Sequence, residues 1–402
     1  MTTTDTDLRR DWRHAWSLDP SVTLLNHGSY GACPTAVLDA QQKWRDRLER
    51  NPVGFFLRTY FDAAAEARES LAEFLGAQAD DLAFVINASS AVNAVLRALP
   101  FKPGDEILVT DVTYPACRNA ADFVAERTGA KVVVAELPFP CQSTDELVEA
   151  ILSKVSSRTT LALLDHITSA TALVLPLERI VGALDDLGVD SLVDAAHAPG
   201  QVHVDLDGLG AAYSTGNCHK WLCSPKGAAY LHVRRDRQDR VRPLTISHGA
   251  TVDPTGSSRF RLEFDWTGTH DPTAHLAVPA ALTHMASLVE GGWTAIRDRN
   301  HRLALAAREL IGPALGLSEH AAPVDALGCM VAFPLPVEPP DLPAGPRGHD
   351  PLAHWLWEAH GICVPVGPLP HGQGRFLRIS AQLYNQLGDY ERLAEVLTQR
   401  PR

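Results

Sequence analysis

The chain has 402 residues, 45% hydrophobic and 21% charged, with 36 Lys and Arg against 48 Asp and Glu for a formal charge of −12. The length allows two or three domains, and the interspersed negative charge excludes the basic stripes that nucleic acid or an anionic membrane requires. No apolar run nears the ~18–20 residues of a bilayer span, the polar start MTTTDTDLRRDWRH lacks a secretion signal's apolar stretch, and seven cysteines without a CxxC pair argue against disulfide or zinc scaffolds and for a reducing cytoplasm.

In chain order, two amphipathic helices come first, over 34–50 and 60–75, the first opening at Pro34 and the second ending at Gly76. From Asp80 to Val233 short β-type runs alternate with helical ones. DLAFVI (81–86) precedes a helix over 91–99; EILVT (106–110) precedes a helix from Pro115 to Thr128; KVVVAEL (131–137) precedes a helix over 144–154. TLALLDHI (160–167), a helix over 177–187, DSLVD (190–194), AAYSTG (211–216) and AAYLHV (228–233) finish the block. Near-continuous apolar strands between helices mark a sheet covered on both faces, so the expected fold is a three-layer α/β/α domain with a mostly parallel sheet. Beyond His275 the pattern changes to helices over 275–290, 293–312 and 388–400 with β-type runs between, predicting a smaller α+β domain. The expected organisation is an N-terminal arm over 1–33, a large domain over 34–274 and a small one over 275–402. Seven of the eighteen residues from Pro334 to Pro351 are proline, which reads as an exposed loop.

In such sheets ligands bind at the carboxyl ends of strands. YSTGNCHKWLCSPKG (213–227) places Lys220 in the loop after a strand, where a desolvated amine can form a Schiff base; taken alone, an ordinary surface lysine is the commoner reading. SLVDAAHAPGQ (191–201) ends an apolar strand on Asp194, with His197 following. No HxxxH or carboxylate cluster supports a metal there. A Schiff-base lysine and a carboxylate for a pyridinium nitrogen are the pair that pyridoxal phosphate (PLP) requires. INASSAVNAVL (86–96) adds Ser89 and Ser90 at a helix start, where backbone N–H groups and the helix dipole suit a phosphate.

LNHGSYG (25–31), DAAHAPG (194–200), NCHKWLCSPKG (217–227), WTGTHD (266–271) and RISAQLYN (378–385) together resemble the class V aminotransferase group of fold-type I PLP enzymes. The resemblance runs from about Leu24 to Asn385 and is nearest the branch of isopenicillin N epimerases and ergothioneine-pathway C–S lyases. It implies that Lys220 carries the cofactor, that Asp194 pairs with its pyridine nitrogen, and that His197 bonds its phenolic oxygen. Ser89, Ser90, Asn217 and His219 would hold the phosphate, with Thr269 reaching a phosphate across a homodimer interface. Tyr114, in DVTYPAC, stands where the wider family prefers a His that stacks on the ring, and its phenol can also act as acid or base. Arg378 suits the α-carboxylate of an amino acid, with Arg375 as a rival, while Asn26 and His27 on the arm would touch substrate. The arm 26–31, residues 51–58 and, from a neighbouring subunit, Arg259 and Arg261 are further candidates for the distal part of the substrate.

The implied reaction is β-elimination on a cysteine S-conjugate in specialised metabolism. Epimerisation, transamination, decarboxylative or oxidative deamination, and a non-catalytic PLP-fold binding protein are the alternatives. A dinucleotide-dependent dehydrogenase is disfavoured because no GxGxxG follows the first strand of the block. Desulfuration needs a mobile-loop thiol, and Cys329 and Cys363 read better as small apolar residues.

Overall fold

A computed structural model describes residues 7–337, 342 and 345–400. Twelve strands are labelled here in chain order: β1 (Thr23–Leu24), β2 (Leu82–Val85), β3 (Glu106–Thr110), β4 (Lys131–Ala135), β5 (Thr159–Asp165), β6 (Asp190–Asp194), β7 (Tyr213–Asn217), β8 (Ala229–Val233), β9 (Met330–Leu335), β10 (Ile362–Cys363), β11 (Val366–Pro368) and β12 (Arg375–Ser380). β2 to β8 form one sheet in the order β2-β8-β7-β6-β5-β3-β4, with β8 antiparallel to both its neighbours and the β7-β6-β5-β3-β4 run parallel. The sheet is apolar on both faces because alternate residues of one strand enter different cores. Leu108, Leu164 and Val193 join the core on one side, and Ile107, Val109, Leu163 and Leu192 the core on the other. Only burial on both faces explains such continuous apolar strands. The expected three-layer α/β/α fold is the observed one.

Helix ends follow the local signals. The helix Tyr60–Leu75 stops at Gly76, whose backbone is left-handed, and the helix Pro115–Thr128 opens on proline and stops at left-handed Gly129. The single helix expected over 275–290 is two, Thr273–Leu276 and Val278–Leu288, because Pro279 takes the first turn of a new helix. Pro334 and Leu335, expected in the proline-rich loop, belong to β9; residues 338–341, 343 and 344 of that loop lie outside the described residues.

β9, β11 and β12 make a separate antiparallel sheet. The arm joins this C-terminal part: β1 pairs in parallel with β10, and Trp12 and Trp16 pack in one cluster with Leu383 and Tyr384. Residues 1–6 of the arm lie outside the described residues.

Candidate active site

The carboxyl ends of β2, β3, β5, β6 and β7 converge on a cavity of about 400 Å³, lined among others by Ser89, Tyr114, Asp165, Asp194, His197 and Lys220. Asp194 is 4% exposed. Its Oδ1 accepts from the Ala196 N–H at 2.9 Å and its Oδ2 from the Cys117 thiol at 3.1 Å. Burial raises its pKa, while these donors and Lys220 favour the charged form. A carboxylate placed with such care at the cavity floor suits a cationic ring nitrogen.

Lys220 Nζ lies 3.3 Å from His197 Nε2, and the Trp221 indole N–H donates to His197 Nδ1 at 3.4 Å. Indole nitrogen only donates, so Nδ1 is an acceptor and a neutral His197 carries its proton on Nε2. Burial does hold His197 neutral, with the Lys220 charge adding to the effect. Nε2–H then faces Nζ, a contact that favours an amine over an ammonium. Burial and the nearby Arg378, opposed by Asp194, lower the Lys220 pKa to about 8. The geometry and the charge balance therefore both prepare Lys220 as a nucleophile and base.

Arg378 is 3% exposed, on β12. Its Nη1 donates to the Ser169 carbonyl, and its Nη2 to Asn26 Oδ1 and Ser29 Oγ at 3.3 Å each. Its Nε has no partner, and among the described residues no carboxylate pairs with it. Burial lowers its pKa to about 10. A buried guanidinium without an anion calls for one from outside. Arg375, by contrast, is ion-paired with Asp350 at 2.7 Å.

At the anion-binding end, Asn87 caps the helix Ala88–Ala98 by accepting from Ser90 N–H at 2.8 Å, and Asn217 Oδ1 accepts from Ala88 N–H at 3.0 Å. Asn217 thus ties the end of β7 to that helix while lining the cavity. Ser89 lines the cavity too, whereas Ser90 lines a second cavity of about 280 Å³ together with Thr269. His219 lines the first cavity, with Nδ1 3.3 Å from the Ala228 carbonyl and its pKa lowered by burial to about 4. Tyr114 lines it at 43% exposure, at the mouth.

The arm residues divide. Asn26 reaches Arg378, but His27 lies under the lysine loop: its Nδ1 meets the Tyr384 hydroxyl and its Nε2 the Lys220 carbonyl, both at 2.9 Å. Burial drives its pKa to about 3. Within one chain, Arg259 donates to backbone carbonyls and Arg261 pairs with Asp80 and Asp265. Residues 52–58 form a helix. Sequence reasoning missed Asp165, Cys117 and Ser169, and had Ser29 and Tyr30 only as part of the arm 26–31. Asp165 ends an apolar run just as Asp194 does, so its signal was available; Cys117 and Ser169 carry none. Ser29 and Tyr30 also line a third cavity of about 480 Å³, which adjoins the first.

These features suit PLP. The class V aminotransferase family profile matches residues 30–393, and the chain belongs to that family and is a PLP-dependent enzyme. It is 37% identical to an isopenicillin N epimerase of Amycolatopsis lactamdurans, over 96% of each chain. It is 30% identical to a probable chloroplastic L-cysteine desulfhydrase of Arabidopsis thaliana, over 94% of this chain and 83% of that one. A cysteine desulfurase structure from Thermococcus onnurineus NA1 shares the fold, with a TM-score of 0.78 at 20% identity over 97% and 98% of the two chains.

Proposed function

We propose that the chain is a C–S lyase that eliminates the sulfur substituent from Cβ of a cysteine S-conjugate. One observation carries this reading. Of the two lysines lining the cavity, Lys220 is in contact with His197 while Lys226 donates to the Gly31 carbonyl at 3.0 Å, and the mouth opens past Ser29 and Tyr30 into the adjoining cavity, which gives a leaving group room to depart. Asp194 would hold the cofactor's pyridine nitrogen, His197 its phenolic oxygen, and Ser89 with the helix start at Ala88 its phosphate. When bound, PLP supplies an electron sink for the pair released at Cα. Arg378 holds the substrate carboxylate, which fixes Cα near Lys220. Nζ then removes the Cα proton, a task suited to an amine that titrates near pH 8. Tyr114, at the mouth, can hand a proton to the departing sulfur.

Persulfide transfer does not fit, because among the described residues no cysteine lines the Lys220 cavity. Cys363 lines only the adjoining one, where burial raises its thiol to about 11. Epimerisation is the second reading, favoured by the 37% identity to an epimerase; it needs an acid on the far side of Cα, for which Tyr114 is the candidate. The chain would act as a homodimer in which Thr269 reaches the partner's phosphate site. Seven cysteines, all free, support a reducing cytoplasm, and among the described residues no helix is long and apolar enough to cross a membrane.

The test is incubation with cysteine S-conjugates in deuterated water. Pyruvate and a free thiol are expected; an intact substrate with inverted, deuterated Cα would replace this reading with epimerisation. The purified protein is expected to be yellow, and Lys220→Ala to lose both that colour and turnover.

A further inference from the structure

We propose that Asp165 is a protonated carboxylic acid paired with Asp194, a positioning residue that fixes the negative charge facing the cofactor on Asp194. Asp165 and Asp194 are the last residues of adjacent parallel strands and are register partners. Neighbouring strands lie ~4.8 Å apart and register partners share a sheet face, so the two carboxyls are side by side. Both line the same cavity, and they are 3% and 4% exposed. Two carboxylates this close in a dry setting do not both ionise; the pair keeps one proton.

The hydrogen bonds decide which residue keeps it. Asp194 has a donor on each oxygen, the Ala196 N–H and the Cys117 thiol. Asp165 Oδ2 is buried with no partner. A bare carboxylate oxygen there would bear a full desolvation cost. An O–H at that position, turned to Asp194, satisfies itself and gives Asp194 a third donor. Lys220, on the loop after β7, favours the charged form of both carboxyls, and the backbone N–H groups of Tyr114 and Asp165 favour that of Asp165, but none of them reaches Asp165 Oδ2. Burial and Asp194 push the Asp165 pKa above the ordinary carboxylate range. Cys117 is itself pushed upward by burial and by Asp194, so it remains a thiol and a donor. Arg378 and His197 also bear on Lys220.

The consequence is a division of labour at the cavity floor. Asp194 is the anion for the ring nitrogen, and Asp165 is a neutral clamp that keeps it oriented. The proposal rests on PLP binding and is independent of which reaction follows, so its readouts are spectroscopic. Near neutral pH, the infrared difference between wild-type holoenzyme and Asp165→Asn should show one protonated-carboxyl C=O band lost. Asparagine is a neutral stand-in for the acid, so the visible absorbance of bound PLP should keep its pH profile, and the ¹⁵N shift of labelled pyridine nitrogen should stay at its protonated value. A missing acid band, or an Asp165→Asn absorbance profile moved by about one pH unit, the size expected for loss of a nearby charge, would overturn the proposal. If Asp165→Asn fails to fold, Cys117→Ala serves instead. Removing a donor from Asp194 while Asp165 stays an acid should weaken PLP binding several-fold, with the acid band of the pair retained but shifted. An unshifted spectrum and unchanged affinity in Cys117→Ala would refute the assigned roles.

Discussion

At the scale of single residues, Lys220 and Arg378 make opposite demands on the empty fold and on the working site. The folded Lys220 amine titrates near 8, whereas an unfolded lysine titrates near 10.4. Between those values the unfolded chain binds more protons, so stability rises with pH across that window, and the penalty is fully present below about pH 8. The whole span is worth at most about 3 kcal/mol. Lys220→Met should therefore be more stable than wild type in cofactor-free protein near neutrality, with the gap closing toward pH ~10. Urea titrations at several pH values measure this, and a gap that stays constant would contradict it. For Arg378, a charged hydrogen bond is worth about 1.5–3 kcal/mol. Arg378→Lys, which removes the fork but keeps the charge, should lower kcat/KM by roughly ten- to a hundred-fold, largely through KM. Arg375→Lys, at a residue already paired with Asp350, should leave KM near wild type. Sequence alone could name both arginines as rivals. It favoured Arg378, and what separates the two in the structure is Asp350, 25 residues from Arg375.

At the scale of elements, the seven strands of the large sheet and the helices between them were legible because each carries its own signal: apolar runs covered on both faces, Pro at helix starts and Gly at helix ends. Lys220 and Asp194 were legible because polar groups at the ends of apolar strands have no packing reason to be there. His27 was not, since its placement depends on how the arm crosses the lysine loop. Gly31 makes that crossing possible. Its φ is +69°, and a Cβ there would clash with the His219 carbonyl and lie 2.9 Å from Lys220 Cα. Gly31→Ala should push the arm from the loop and strain the backbone. A loss of about 1–3 kcal/mol in chemical denaturation is expected, with weaker PLP retention, because the His27–Lys220 contact goes with it. Unchanged PLP retention would mean that the arm does not support the lysine loop. At the other end of the site, Asn87→Ala removes the cap of the helix Ala88–Ala98. That should cost ~1 kcal/mol and raise the dissociation constant for PLP, while a variant far from any helix start should not.

At the scale of the molecule, Thr269 poses a geometric problem that a second copy of the chain would resolve. Thr269 lines the cavity that also holds Ser90, whereas Ser89 and Lys220 line the other, and Ile86 borders both. The segment 86–90 thus lies between Thr269 and its own lysine. Several large apolar side chains are exposed, Leu57 at 75% and also Val53, Phe61, Ile86, Leu244 and Ile246. A symmetric copy covering them would bring one chain's Thr269 toward the other's phosphate end. Leu57→Asp should then halve the mass in sedimentation and weaken PLP binding, although residue 57 touches neither cavity. The decisive experiment mixes two variants. A Lys220→Ala chain lacks the lysine but keeps Thr269; a Thr269→Ala chain has the reverse. If Thr269 serves the partner's site, each mixed dimer contains one site with both residues, and a tight PLP-binding class appears that neither variant shows alone. If Thr269 serves its own chain, mixing creates no complete site and the binding curve stays that of the two parents.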